Sequence, residues 1–218
     1  MLLRSFFVFI LVVSYSAFAN SDHTPKLNTA EQPTKVMILG DSLSAGYGLK
    51  QDQAWVQLLQ NAYTQENVPI TLINASISGE TSGGALQRLP NLLTTHAPDL
   101  VIIELGGNDG LRGYPIKLLK KNITELVKQS QASGAKVVLM EIEITPNLGK
   151  RYATLFTKTY RDVANEFNIK TIPFFIRSVA VNPELMLPDG IHPNAKAQPA
   201  LKDIMKAHID RNLAEYAH

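Results

Sequence analysis

The residues of this chain that could do chemistry fall in four short blocks. The first, Gly40-Asp41-Ser42-Leu43, follows an apolar run and leads into small residues. The others are Ser78-Gly79-Glu80, Gly106-Gly107-Asn108-Asp109 and Asp189-Gly190-Ile191-His192-Pro193. A serine at the point where a buried strand turns into a helix is well placed to be displayed as a nucleophile. Its hydroxyl is weak on its own and needs a neighbouring base. His192 can take the proton. Asp189, three residues earlier, can bond the other ring nitrogen, fix the tautomer and stabilise the imidazolium. A carbonyl attacked by Ser42 becomes an oxyanion, which needs donors already aimed at it. The candidates are the backbone N–H of Ser42, the backbone N–H of Gly79 and the side-chain amide of Asn108. Removing one such donor typically costs about 3–4 kcal/mol of transition-state stabilisation.

Each of these residues also has a plainer reading. Ser42 could be a helix N-cap, Asn108 an ordinary turn residue beside glycines, and Gly79 a loop glycine near Gly83 and Gly84. Asp41 suits a structural role, bonding turn amides. Asp109 competes with Asp189 as the orienting acid, but the Asp-x-x-His spacing tethers Asp189 to His192. None of the other histidines, 23, 96, 208 and 218, has an aspartate three residues before it. Glu141 and Glu143, two apart on an expected strand, point the same way. They could form an acid/base or metal pair, or a polar patch where the strand meets solvent. Glu104 is expected to brace the loop of Asn108. Gly-Asp-Ser-Leu should arise by chance in under about 1% of chains this long, and Asp-x-x-His in roughly a quarter. The weight therefore rests on the first block and on the order of the others.

Elements must bring these blocks together. Apolar runs at 34–40, 70–76, 100–106, 136–144 and 170–175 read as five strands, most of them apolar on both faces, as in parallel sheets covered on both sides. Helical stripes lie between them. Trp55, Leu58, Leu59 and Tyr63 make one; Ile116, Leu119, Ile123, Leu126 and Val127 make another, stopped by Gly134; Phe156, Tyr160, Val163 and Phe167 make a third. Residues 82–95 form a weaker helix that Pro90 is expected to break, and Leu201, Ile204, Met205 and Leu213 mark a final helix. This alternation predicts an α/β domain: a flavodoxin-like three-layer α/β/α sandwich on a five-stranded parallel sheet. Ligands of such sheets bind beyond the carboxyl ends of the strands, where all four blocks fall.

Composition narrows the function. The chain has 218 residues, a formal net charge of +2 and no cysteine. There is therefore no disulfide, no thiol nucleophile and no cysteine-held zinc, and no basic stripe for nucleic acid. Arg4, the apolar run Phe6 to Val13 and Ala17-Phe18-Ala19 have the layout of a secretory signal peptide. The run is shorter than the roughly 18–20 residues of a spanning helix. The expected organisation is a signal peptide over 1–19, a polar tail over 20–33 and one domain over 34–218. Gly-x-Ser-x-Gly, the P-loop and Gly-x-Gly-x-x-Gly are all absent.

The four blocks, in this order, resemble the SGNH (GDSL) hydrolase superfamily: serine in "GDSLSAGYG", glycine in "NASISGETS", asparagine in "ELGGNDG" and histidine in "DGIHPN". Residues from about Val36 to Leu213 are similar to the bacterial multifunctional esterases variously called acyl thioesterase, lysophospholipase, arylesterase or protease I. "ELGGNDGLRG" (104–113) and "LPDGIHPNAKAQP" (187–199) carry most of that similarity, and "YGLK" (47–50) looks more like the arylesterase branch. The resemblance implies a flavodoxin-like fold, no metal or cofactor, and hydrolysis of esters and thioesters through an acyl-serine. It implies Ser42, Asp189 and His192 as the triad, with Ser42, Gly79 and Asn108 around the oxyanion. It also implies that the loop 109–114 touches the acyl chain. The expected partners are a small ester or lipid substrate and, transiently, membrane lipids, for an exported, periplasmic enzyme. Two other readings stand beside this one: a carbohydrate acetyl esterase and a non-catalytic binding module.

Overall fold

The computed structural model describes residues 32–145 and 148–216. The expected signal peptide and nearly all of the expected tail lie outside the described residues. Five parallel strands form the sheet: β1 (Thr34–Gly40), β2 (Ile70–Asn74), β3 (Leu100–Glu104), β4 (Lys136–Met140) and β5 (Lys170–Ile172). Their order is β2-β1-β3-β4-β5. The helices are α1 (Ser42–Ala45), α2 (Trp55–Gln65), α3 (Ser82–His96), α4 (Gly107–Leu111), α5 (Ile116–Ala132), α6 (Lys150–Phe167), α7 (Arg177–Ala180) and α8 (Gln198–Tyr216). Helix α2 packs with α8, while α5 packs with both α3 and α6, giving the two helical layers around the sheet.

The central strands are apolar on both faces because both faces are covered. Val36, Met37, Ile38 and Leu39 of β1 and all of β3 are buried. β2 is an edge strand and only half-buried. The helices supply the other half of the core from their stripes: Trp55, Leu59 and Tyr63 from α2, Ile123 and Leu126 from α5, Phe156 and Tyr160 from α6.

Two expectations are corrected. Pro90 does not break α3, which runs from Ser82 to His96 with the proline inside it. An interior proline costs a helix roughly 3 kcal/mol, but here Ala85, Leu89 and Leu93 bury the flanking turns in the core. Thr81 Oγ1 also caps the start, accepting from the Gly84 N–H at 3.2 Å. Four of the five strands are shorter than their apolar runs and end at Asn74, Glu104, Met140 and Ile172. The leftover apolar residues leave the sheet as loops, and these loops carry much of the candidate site.

Register makes the ends of β1 and β3 level and leaves β2 two residues short of them. Gly40 pairs with Glu104 across β1 and β3, and Ile38 pairs with Asn74 across β1 and β2. The Ile77 N–H then donates to Gly40 O at 3.1 Å, carrying the second block alongside the first.

Candidate active site

The turn after β1 presents Ser42. Asp41 is the N-cap of α1, its Oδ1 accepting from the Leu43 N–H at 3.1 Å. This is the structural role expected of Asp41, and it leaves Ser42 at the first helical position with its N–H in no hydrogen bond among the described residues. Asn74 Nδ2 donates to Ser44 O at 2.8 Å and pins the far end of the turn.

His192 arrives from a loop 150 positions away in sequence, and that loop is held at many points. Met186 bridges Pro193, Leu187 N–H donates to His192 O at 2.7 Å, and Asn194 Nδ2 donates to Glu184 O and Met186 O. Gln198 then ties the loop to α2, since its Oε1 accepts from the Trp55 N–H at 3.0 Å while its Nε2 donates to Pro193 O at 3.2 Å.

Held this way, His192 Nε2 lies 2.8 Å from Ser42 Oγ, and its Nδ1 lies 2.7 Å from Asp189 Oδ2. Asp189 Oδ1 accepts from the N–H groups of Ile191 and His192 at 2.9 and 3.0 Å. Burial works against the Asp189 charge, but it is outweighed by the hydrogen bonds from the His192 ring and from the two backbone donors, which hold the carboxyl down at about 2. An ionised Asp189 can only accept, so Nδ1 must carry a proton, and the neutral ring then offers Nε2 as acceptor to the serine hydroxyl. Asp109, the competing acid, is committed elsewhere. It is buried and accepts from Ser82 Oγ at 2.5 Å and Ser82 N–H at 2.9 Å.

Asn108 stands in α4, its Nδ2 3.3 Å from Asp41 Oδ2. One amide hydrogen is used there, and the second remains for a ligand. Gly79 lies on the neighbouring turn with φ +80°, a left-handed conformation that favours glycine. Its N–H also makes no hydrogen bond among the described residues, and its carbonyl accepts from Arg112 at 3.4 Å. Gly79 does not line the cavity in front of Ser42.

That cavity has a volume of about 490 Å³. Ser42, Asn108, His192 and Asp189 line its polar end, and Leu111, Ile144, Phe174, Ile176, Met186 and Ile191 are among its apolar walls. A second cavity, of about 590 Å³, opens near the start of β1 and β4 beside Lys35, Asp99 and Lys136.

Two sequence expectations shift here. Glu104 does not brace the Asn108 loop directly. Its Oε2 accepts from Ser44 Oγ at 2.8 Å and from the Asp41 N–H at 3.3 Å, so it supports the serine turn and reaches Asn108 only through Asp41. Burial pushes the Glu104 carboxyl well above the usual carboxylate range, and the neighbouring Asp41 charge adds to that. Burial also raises Asp41, to about 6. Glu141 and Glu143 lie past the end of β4, and each is bound by an arginine. Arg161 Nη2 donates to Glu141 at 2.7 Å, and Arg177 pairs with Glu143. Among the described residues no three His, Cys, Asp or Glu side chains cluster to hold a metal.

Tyr47 is a site residue that sequence reasoning missed. Its ring centroid lies 4.4 Å from that of His192, tilted by 35°. The only signal was an aromatic residue five positions after the serine among small residues, and no local rule places it on an imidazole.

Residues 38–199 match the GDSL-like Lipase/Acylhydrolase family. The chain is 43% identical over 188 residues to an arylesterase of Vibrio mimicus, covering 86% of this chain and 94% of that protein. It is 42% identical over 174 residues to thioesterase 1/protease 1/lysophospholipase L1 of Escherichia coli (strain K12), covering 80% and 82%. Among solved structures it is similar to the psychrotrophic esterase EstA from Pseudoalteromonas sp., inhibited by monoethylphosphonate. That similarity has a TM-score of 0.82 at 50% identity, covering 83% of this chain and 99% of that one.

Proposed function

The chain belongs to the GDSL-like lipase/acylhydrolase family and is a carboxylic ester hydrolase, and on that footing we propose that Ser42, His192 and Asp189 carry the reaction. The observation behind this assignment is the unbroken line from Ser42 Oγ through His192 to Asp189, at 2.8 and 2.7 Å. His192 Nε2 takes the hydroxyl proton as Ser42 Oγ attacks the acyl carbonyl. Asp189 holds the imidazolium that forms. The Ser42 and Gly79 N–H groups and the second amide hydrogen of Asn108 receive the oxyanion. Collapse of the tetrahedral intermediate expels the alcohol, which takes the proton back from His192 and leaves an acyl-serine. Water then attacks with His192 again as base, releasing the acid and restoring the serine.

The apolar walls in front of Ser42 suit an acyl chain or an aromatic ring better than a sugar, so aryl esters, short to medium acyl esters and lysophospholipids are the substrates supported. Thioesters fit the same chemistry. An exported enzyme would not meet cytosolic acyl-coenzyme A, so that activity is secondary. The proposal includes a leader removed near Ala19, a periplasmic location and transient contact with membrane lipids. Among the described residues, no helix is long and apolar enough to cross a membrane.

The test is Ser42→Ala against wild type on p-nitrophenyl butyrate. Loss of the nucleophile should lower kcat by about 10⁴-fold or more, and near-equal turnover would remove the proposal. A panel of aryl esters by chain length, palmitoyl thioester and lysophosphatidylcholine then ranks the substrates. A steep fall beyond acetyl would favour the carbohydrate acetyl esterase reading.

A further inference from the structure

Beneath Ser42 two carboxyl groups meet out of water. Glu104 is fully buried, Asp41 is 3% exposed, and the Asp41 N–H donates to Glu104 Oε2 at 3.3 Å. No Lys or Arg among the described residues donates to either. The donors are shared unequally. Asp41 receives the Leu43 N–H on Oδ1 and the Asn108 amide on Oδ2. Glu104 receives the Asp41 N–H and the Ser44 hydroxyl, both on Oε2, and its Oε1 is buried with no donor at all. An ionised Glu104 would leave that oxygen unsatisfied beside a second carboxylate. A protonated Glu104 resolves both problems, because it removes one of the two neighbouring charges and turns a buried carboxyl oxygen into a donor.

We propose that Glu104 is held as a neutral carboxylic acid that donates its proton to the Asp41 carboxylate, and that this clamp fixes the serine turn and the Asn108 amide together. Asp41 links the two sides of the oxyanion region, capping α1 through one oxygen and holding Asn108 through the other. Glu104 sets the orientation of that link and is a positioning residue. Gly40 belongs to the same device. It is the register partner of Glu104, and a Cβ there would stand 2.5 Å from Glu104 Oε2. The first glycine of the Gly-Asp-Ser block is thus the space that the buried acid occupies. The other ionisable groups around the pair are His192, Asp109 and Tyr160, whose hydroxyl donates to Leu105 O at 2.9 Å. Of these only His192 can become a cation, when it takes the serine proton, and that charge then acts on Asp41.

The inference rests on the esterase reading for its kinetic arm, and a spectroscopic arm separates the two. A glutamine amide can donate to Asp41 with its NH₂ while its oxygen accepts from Ser44 and the Asp41 N–H, imitating the protonated acid. Glu104→Gln should therefore keep kcat on p-nitrophenyl butyrate within about threefold, while Glu104→Leu loses about 100-fold in kcat with KM little changed, as for loss of an oxyanion donor. If Glu104→Gln falls as far as Glu104→Leu, or if Glu104→Leu keeps its kcat, the clamp is wrong. The infrared spectrum of the wild type at neutral pH should contain a carbonyl band of a protonated buried carboxyl, absent from folded Glu104→Gln. A wild type without that band overturns the proposal even where turnover is intact, and the comparison holds if Glu104→Leu does not fold. Failure of the esterase reading would instead leave the wild type without turnover and the band in place.

Discussion

The Nε2 of His192 and the Oγ of Ser42 lie 2.8 Å apart, although 150 positions separate them along the chain. Two different restraints meet in that contact. The serine is fixed by the end of a central strand and its capped turn. The histidine is fixed by a loop whose backbone is cross-bonded at Leu187 and Asn194 and strapped to α2 through Gln198.

Asp189 is more exposed than His192, with 36% of its side chain accessible against 17%. Asp189→Asn should nonetheless lower kcat by about 10³- to 10⁴-fold, as in serine-protease triads, because the amide can present a donor to Nδ1 and favour the wrong tautomer. KM should change little. The depressed carboxyl also contributes stability above its ordinary value of 3.8, and that contribution is lost as pH falls through about 2. Activity lost between about pH 4 and 6 therefore does not come from Asp189. Titrating kcat/KM of wild type and variant over this range checks both statements.

Tyr47 covers one face of the His192 ring while remaining 49% exposed. Aromatic contacts of this kind are worth about 0.5–1.5 kcal/mol. Tyr47→Ala should therefore reduce kcat by about twofold to tenfold, while Tyr47→Phe, which keeps the ring, stays near wild type. Equal losses in the two variants would assign the effect to the hydroxyl instead.

Gly40→Ala tests how tightly the base of the serine turn is packed. The added Cβ would lie 2.5 Å from Glu104 Oε2, 2.8 Å from Ser76 Oγ and 3.1 Å from Ser44 Cβ. Overpacking at a buried site of this kind costs about 1–3 kcal/mol. The urea midpoint should fall accordingly, with kcat lowered as well. An unchanged midpoint would mean that the carboxyl has room to move.

The buried acid also gives stability a definite slope with pH. Folded Glu104 keeps a proton that the unfolded chain releases above its ordinary value of 4.5. The native state therefore binds more protons there, and stability falls as pH rises, by about 1.4 kcal/mol per pH unit until Glu104 itself ionises. Asp41, raised to about 6, acts with the same sign below that pH. Glu104→Gln should flatten the profile above that ordinary value by roughly that slope. Urea unfolding across that range measures it, and parallel profiles for wild type and variant would contradict it.

The layers and the residue types of the site are legible in the order of amino acids alone. Apolar runs of strand length alternating with helical stripes admit few arrangements other than a covered parallel sheet, and Gly-Asp-Ser, Gly-Gly-Asn-Asp and Asp-x-x-His are local patterns readable without coordinates. Helix α3 was harder to read, because a local proline preference pointed one way and burial of Leu89 and Leu93 decided the other. The same limit hid Tyr47 on the imidazole, the arginine partners of Glu141 and Glu143, and Glu104 under the serine turn instead of beside Asn108. Each of these depends on how elements far apart in sequence pack against one another. Propensity acts over a few residues, whereas register brings Gly40 opposite Glu104, 64 positions away, and only the folded sheet sets which side chains then share a proton or a ring face.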